Sequence, residues 1–295
     1  MILASTLDNR SSAGSSNDKW IDQLSWINFC LIGGLIAAVY GGVLRELALE
    51  WWSDPGSSYG MLIPPIAIYI AYLRRATTLA IPAHPDLRGL GVVMIACLVF
   101  FTGRLAAGFF LCRISFVVLL AGLMWTFWGF ARLRTLAFPF LLLVTMVPPP
   151  SLLYPSAAAP LQLFASGRAA ALAQALGITV FRDGNIIHLA NLSLGVVEAC
   201  SGLQSLPALM VASLLLGYLQ ELTLAARILL FIFSVPLAIA VNVLRVTGTA
   251  VLADYRPEFA MGYYHSFSGW LVFSIGFGLL WITGKLFFRW TREKE

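Results

Sequence analysis

Uncharged apolar runs approaching 20 residues recur along this chain, and they limit its fold more than any other feature. "ILLFIFSVPLAIAVNVL", residues 228–244, is one of them. A hydrocarbon core about 30 Å thick requires roughly 20 apolar residues in a helix. Only helices or closed barrels satisfy their backbone in lipid, and these runs are continuous rather than alternating. Charged residues make up only 11% of the chain and mean hydropathy is +0.84, whereas soluble domains run near a quarter charged. The sequence therefore predicts an all-α polytopic membrane protein. The +5 net charge comes from short basic clusters between apolar runs, a topology signal rather than a nucleic-acid footprint.

Eight spans are expected: Trp26–Leu44, Gly60–Leu73, Leu90–Thr102, about Phe109–Phe130, Thr135–Val147, Leu203–Leu219, Leu224–Val246 and Gly269–Phe288. Pro64 and Pro65 predict a kinked or partly re-entrant entry to the second. Between the fifth and sixth spans, Leu161–Leu176 is Ala-rich and moderately amphipathic, which predicts a helix on the membrane surface. "ITVFRDGNIIHLANLSLGVVEA" has β-branched residues around a Gly-containing turn and reads as a small β-hairpin. Residues 1–25 read as a disordered cytoplasmic tail lacking a signal-peptide pattern, 26–288 as a single transmembrane domain, and 289–295 as a basic cytoplasmic tail.

Eight spans put both termini on one side. With the termini inside, twelve Lys and Arg fall in the cytoplasm and seven outside, so the termini are expected to be cytoplasmic. The hairpin, Cys200, Arg245 and the Tyr255–Phe267 segment then emerge on the extracytoplasmic face.

Four side-chain types there could do chemistry. Cys30, Cys97 and Cys112 lie within apolar spans and read as buried small hydrophobes. Cys200, in "GVVEACSGLQSL", sits where the hairpin ends and a helix begins, where helix-start amides favour a thiolate. Arg245 closes the run above and is either a snorkelling cation or part of a site. Asn242 lies one turn before it and suits orienting the guanidinium. His265, in "MGYYHSFSGW", enters from the same face and offers a proton-transfer group for thiol acyl chemistry. His188 is the fallback, since a hairpin pairs it with strand neighbours. His84 falls on the opposite side. No CxxC, HxxxH, HExxH or Walker A spacing occurs and no serine nucleophile elbow is expected, and neither a metal nor another cofactor is expected.

"EACSGL", "NVLRV" and the late His265 together resemble the exosortase/archaeosortase family of polytopic cysteine transpeptidases. "WWSDPGSSYGMLIPP" and the "PPPSLLYP" to "FRDGNIIHL" region are similar to the family too, so the resemblance runs from about residue 25 to the end. It implies a bacterial inner-membrane enzyme that recognises C-terminal sorting signals on secreted proteins. Such a signal has a short motif, often Pro-Glu-Pro, then a hydrophobic helix and a basic tail, in bacteria that make extracellular polysaccharide. The resemblance makes Cys200 the nucleophile, His265 the proton-transfer partner and Arg245 the electrostatic partner, with Glu198, Ser201, Asn242 and His188 as supporting or substrate-binding candidates. The expected partners are secreted substrate proteins and membrane lipid, with the acceptor nucleophile unspecified. The first loop departs from the pattern, carrying Ser57-Ser58-Tyr59-Gly60 where a His-Gly is expected. Two other readings stay open: a purely hydrolytic protease using the same site, and a transporter with Arg245, Glu198 and Asn242 along a polar path.

Overall fold

The computed structural model describes residues 5–106, 108–150, 153–190, 192–196, 205–260 and 262–292. The chain forms two compact units, Met1–Leu49 and Glu50–Glu295. The first consists of most of helix α1, Ser5–Ser53. This helix begins inside the segment expected to be a disordered tail. No proline occurs before Pro55 to interrupt it, and 49 residues span about 74 Å, far more than a bilayer core needs. Its apolar part is Cys30–Ser53, nine residues further along than the expected end at Leu44.

The second unit begins with the last turn of α1. A 3-10 turn, Ser58–Leu62, leads into α2, Ile63–Leu73. Pro64 and Pro65 are the second and third residues of α2, in the first turn, where their missing N–H groups have no acceptor within the helix in any case, so they start this helix rather than kink it. Helices α3 (Arg75–Ala80), α4 (Arg88–Leu105) and α5 (Phe109–Trp128) follow. Three glycines bring α4 and α5 into close approach. A Cβ at Gly122 would strike Val93, one at Gly103 would strike Cys112, and one at Gly89 would strike Thr126.

Helices α6 (Phe130–Thr135) and α7 (Ala137–Thr145) are separated by Leu136, so the expected fifth span is a nine-residue helix. The remaining elements are α8 (Leu153–Ala175), β1 (Phe181–Asp183), β2 (Ile186–His188), β3 (Ser193–Gly195), α9 (Ser205–Leu219), α10 (Leu224–Tyr255) and α11 (Gly262–Arg292). Among the described residues, five helical segments are long and apolar enough to cross a membrane: Cys30–Ser53, Arg88–Leu105, Phe109–Trp128, Leu224–Tyr255 and Phe267–Arg289. Ser58–Leu73 and Ser205–Leu219 are shorter apolar segments. Leu98, Phe101, Ile232, Leu244 and Leu279 are among many large apolar side chains exposed on this unit, a surface suited to lipid.

The hairpin is present and is extended by a third strand, giving an antiparallel meander β1-β2-β3. Gly184, at φ +57°, takes the first position of its two-residue turn, which a side chain rarely tolerates. The sheet packs on α8, where Ser166 donates to the Gly184 carbonyl at 3.0 Å and Gln174 to that of Val180 at 3.1 Å. Helix α8 is not amphipathic as expected. Ala165, Ala169, Ala170 and Ala173 pack in one cluster with Ile187, Val196 and α10 residues Val243 and Val246, while its other side exposes Leu163, Phe164 and Leu172. Small residues permit the close approach, and large apolar ones cover the outward face. A second cluster joins Leu209 and Leu216 of α9, Leu230, Leu237 and Val241 of α10, and Leu280 of α11.

Candidate active site

Arg245 is held between α10 and α11. It is not at the end of its helix, as the apolar run suggested, because α10 continues ten residues further to Tyr255. Its Nε donates to Ser268 Oγ of α11 at 3.3 Å. A Cβ at Gly269 would come within 3.3 Å of Nη2 and 3.5 Å of Cζ, so the glycine leaves the room in which the guanidinium lies. Ser268 and Gly269 were not anticipated. The signal for them is positional, since they follow His265 by three and four residues, which in a helix is one turn.

His265 lies in the first turn of α11, which begins at Gly262 rather than at the expected Gly269. Asn242 is on α10, three residues before Arg245, and is 2% exposed. Cys200, Glu198 and Ser201 lie outside the described residues. The chain on either side of them is anchored. Val196 is buried with Val243 and Val246, and it exchanges bonds with Asn185 at 2.9 and 3.2 Å. On the other side, α9 packs on α10 and α11 through Leu209, which also meets Gly276. Both tethers involve clusters that reach the Val241–Val246 stretch of α10, the stretch carrying Asn242 and Arg245.

His188 is occupied by the sheet. Its Nδ1 is 2.8 Å from Ser193 Oγ on β3, and its ring stacks on Phe181 of β1 with centroids 6.0 Å apart. Both neighbours are its cross-strand partners. Of the three other cysteines, Cys112 is buried as expected, but Cys30 and Cys97 are exposed. An outward position on a spanning helix is apolar in a bilayer, so it accommodates a thiol without burial in protein.

An apolar groove of about 930 Å³ runs between α8 and α10. Pro160, Phe164 and Leu172 form one wall and Pro236, Ala240 and Leu244 the other, with Arg168 the one charged lining residue among the described residues. Val243 and Leu244 line the groove, and Arg245, the next residue of α10, turns toward α11 instead.

The first loop is also built rather than open. Ser57, 2% exposed, donates to Asp54 Oδ2 at 2.7 Å, and the Gly56 N–H donates to Oδ1 at 3.0 Å. Trp51 covers Gly60, where any Cβ would overlap the indole, and its Nε1 donates to the Met146 carbonyl at 3.1 Å. Beside it, Glu50 and Arg113 form an ion pair at 2.6 Å, with Arg113 nearly fully buried. The expected spans leave Glu50 between Leu44 and Gly60 and put Arg113 near the start of Phe109–Phe130. Their pairing depends on α1 continuing to Ser53.

A polytopic helical membrane protein with an arginine bonded across two apolar helices, one of which also lines an apolar groove, is the class that fold and site define. The family model of the transmembrane exosortases (Exosortase_EpsH) matches residues 51–282, and the chain belongs to that family. Comparison with curated proteins and with solved structures found no match.

Proposed function

We propose that this protein is a membrane-embedded cysteine transpeptidase that cleaves a C-terminal sorting signal from secreted proteins. The observation that carries the reading is the convergence on one stretch of α10. Arg245 bridges to α11 through Ser268, and the two flanks of the Cys200 segment belong to clusters containing Val241, Val243 and Val246. Family membership supports sorting-signal processing in general.

The Cys200 thiolate attacks the scissile carbonyl, giving a tetrahedral oxyanion that Arg245 stabilises. The C–N bond then breaks, and His265 donates its proton to the leaving amine, which departs with the hydrophobic tail. An acceptor amine, or water, takes the acyl group from the thioester and returns the thiol. The substrate's hydrophobic helix reaches the site laterally, and the α8–α10 groove offers an apolar surface for it on the helix that carries Arg245. Lateral positioning of this kind supplies much of the rate in acyl transfer. Eight crossings, cytoplasmic termini, a bacterial inner-membrane location and an extracytoplasmic site belong to the same proposal.

The test is processing of a tagged secreted protein bearing a Pro-Glu-Pro-type signal, co-expressed with the full chain. Cys200→Ala should leave the precursor full-length, while joint replacement of Cys30, Cys97 and Cys112 should not. The mass of the mature C-terminus separates transfer from hydrolysis. Cleavage by Cys200→Ala at the wild-type rate would remove the thiol mechanism and reopen the transporter reading.

A further inference from the structure

Two arginines at the other end of α10 converge on one tyrosine. Arg74, which caps α2, donates from Nε to the Tyr218 hydroxyl at 2.7 Å, and its Cζ lies 5.3 Å from the ring centroid. Arg227, in the first turn of α10, places its Cζ 5.7 Å from the same centroid. Phe138 of α7 stacks on that ring with centroids 3.9 Å apart and planes 4° from parallel, so the tyrosine cannot swing away without losing the stack.

The position of Arg227 is fixed independently. Its Nε donates to the Leu222 carbonyl at 2.8 Å, and its stem crosses Gly217, where a Cβ would meet Cγ at 3.1 Å. Four helix ends thus bring two cations to one ring. Neither cation forms an ion pair among the described residues, and Glu221, exposed in the α9–α10 turn, pairs with neither. Both arginines spend Nε on the protein, leaving the Nη atoms without a protein acceptor among the described residues. Two guanidinium forks with free Nη donors match the oxygens of a phosphate.

The surroundings suit a lipid. Leu73, Leu219, Leu224 and Ile228, beside these residues in sequence, are all at least half exposed. The positive-inside count puts this end of the bundle at the cytoplasmic leaflet, whose anionic lipids attract basic residues. Arg227 and Arg245 are 18 residues apart, about 27 Å along α10, so this is a different site from the one above.

We infer that Arg74, Arg227 and Tyr218 form a binding site for a phosphate anion, carried by the head group of an anionic phospholipid. An occupant there ties the α9–α10 turn to α2 and α7.

The test is retention of dioleoylphosphatidylglycerol against dioleoylphosphatidylcholine by the full-length protein in neutral detergent, read by native mass spectrometry. The anionic lipid should be retained about tenfold better, and Arg74→Gln and Arg227→Gln should each weaken it about fivefold. Arg75→Gln should not, because Arg75 packs over Tyr72 instead and donates to its carbonyl. Displacement by inorganic phosphate would identify phosphate alone as sufficient, and resistance to it would identify the lipid as the ligand. Equal retention of the two lipids by wild type, or unchanged retention in both glutamine variants, overturns the site. Arg227→Gln also removes the bond to Leu222. If that variant fails to fold, Arg74→Gln and the wild-type lipid comparison decide the matter.

Discussion

Arg245 on α10 and Ser268 on α11 are joined by a 3.3 Å hydrogen bond, with Gly269 leaving space beside the guanidinium. An arginine so placed is held by a neighbouring helix rather than left free to snorkel. Adding a methyl group at Gly269 puts carbon 3.3 Å from Nη2, close enough to displace the flexible end of the side chain by a few tenths of an ångström. Gly269→Ala should therefore lower signal processing about tenfold while the protein stays monodisperse, because small misplacements of catalytic groups are costly. A processing time course with an unchanged rate would mean that this seat does not set the chemistry.

Glu50 and Arg113 should behave as a unit. Removing one partner of a buried pair costs about 3–5 kcal/mol, although Glu50 is 35% exposed and solvent screening argues for the lower end. Arg113 also buries an Nε without a partner among the described residues, so its cost is not fully offset by the pair. Glu50→Gln should lower the melting temperature in detergent by roughly 10 °C, as each kcal/mol is worth about 2–4 °C at this size. The double variant Glu50→Gln/Arg113→Met should recover most of that loss. Additive losses would count against coupling.

If the α8–α10 groove receives the substrate's hydrophobic helix, filling it should block processing without unfolding the enzyme. Ala240 lines it beside Ile239 and Leu244. Ala240→Trp should reduce cleavage of the full signal by more than tenfold while leaving the melting temperature within a few degrees of wild type. Cleavage of a short soluble peptide carrying only the motif should change little. Equal loss on both substrates would place the effect at the chemistry instead.

Asp86 provides a pH prediction outside the spans. The Arg88 backbone N–H, 2.9 Å from Oδ1, lowers its pKa most, and the Trp125 indole and the Arg88 charge add to that, against some desolvation. A carboxylate held below its ordinary value stabilises the fold above the unfolded-state value, about pH 4. That contribution is lost as pH falls through the lower folded-state value. Thermal melts between pH 3 and 7 should show an acidic decline that is shallower in Asp86→Asn. Identical acid limbs would show that this loop bond does not contribute.

Membrane residence, helical class and the spans of α4, α5 and α10 were legible in the sequence because lipid imposes a local rule: each spanning segment must be long, apolar and internally hydrogen-bonded. Arg245 and His265 could be singled out because polar chemistry stands out against such runs. Family membership was legible from the "EACSGL", "NVLRV" and His265 pattern.

Tertiary structure decided what depends on neighbours. It carried α1 on to Ser53, where Glu50 meets Arg113, and α10 on to Tyr255, so that Arg245 lies within a helix and meets Ser268. It packed the alanines of α8 against α10, since alanine spacing alone does not say whether lipid or another helix covers that face. It also brought Arg74 and Arg227, 153 residues apart, to one tyrosine ring. Hydropathy along a chain reports which segments can enter the bilayer, but contacts between segments depend on the packing of side chains distant in sequence, and no local pattern records those.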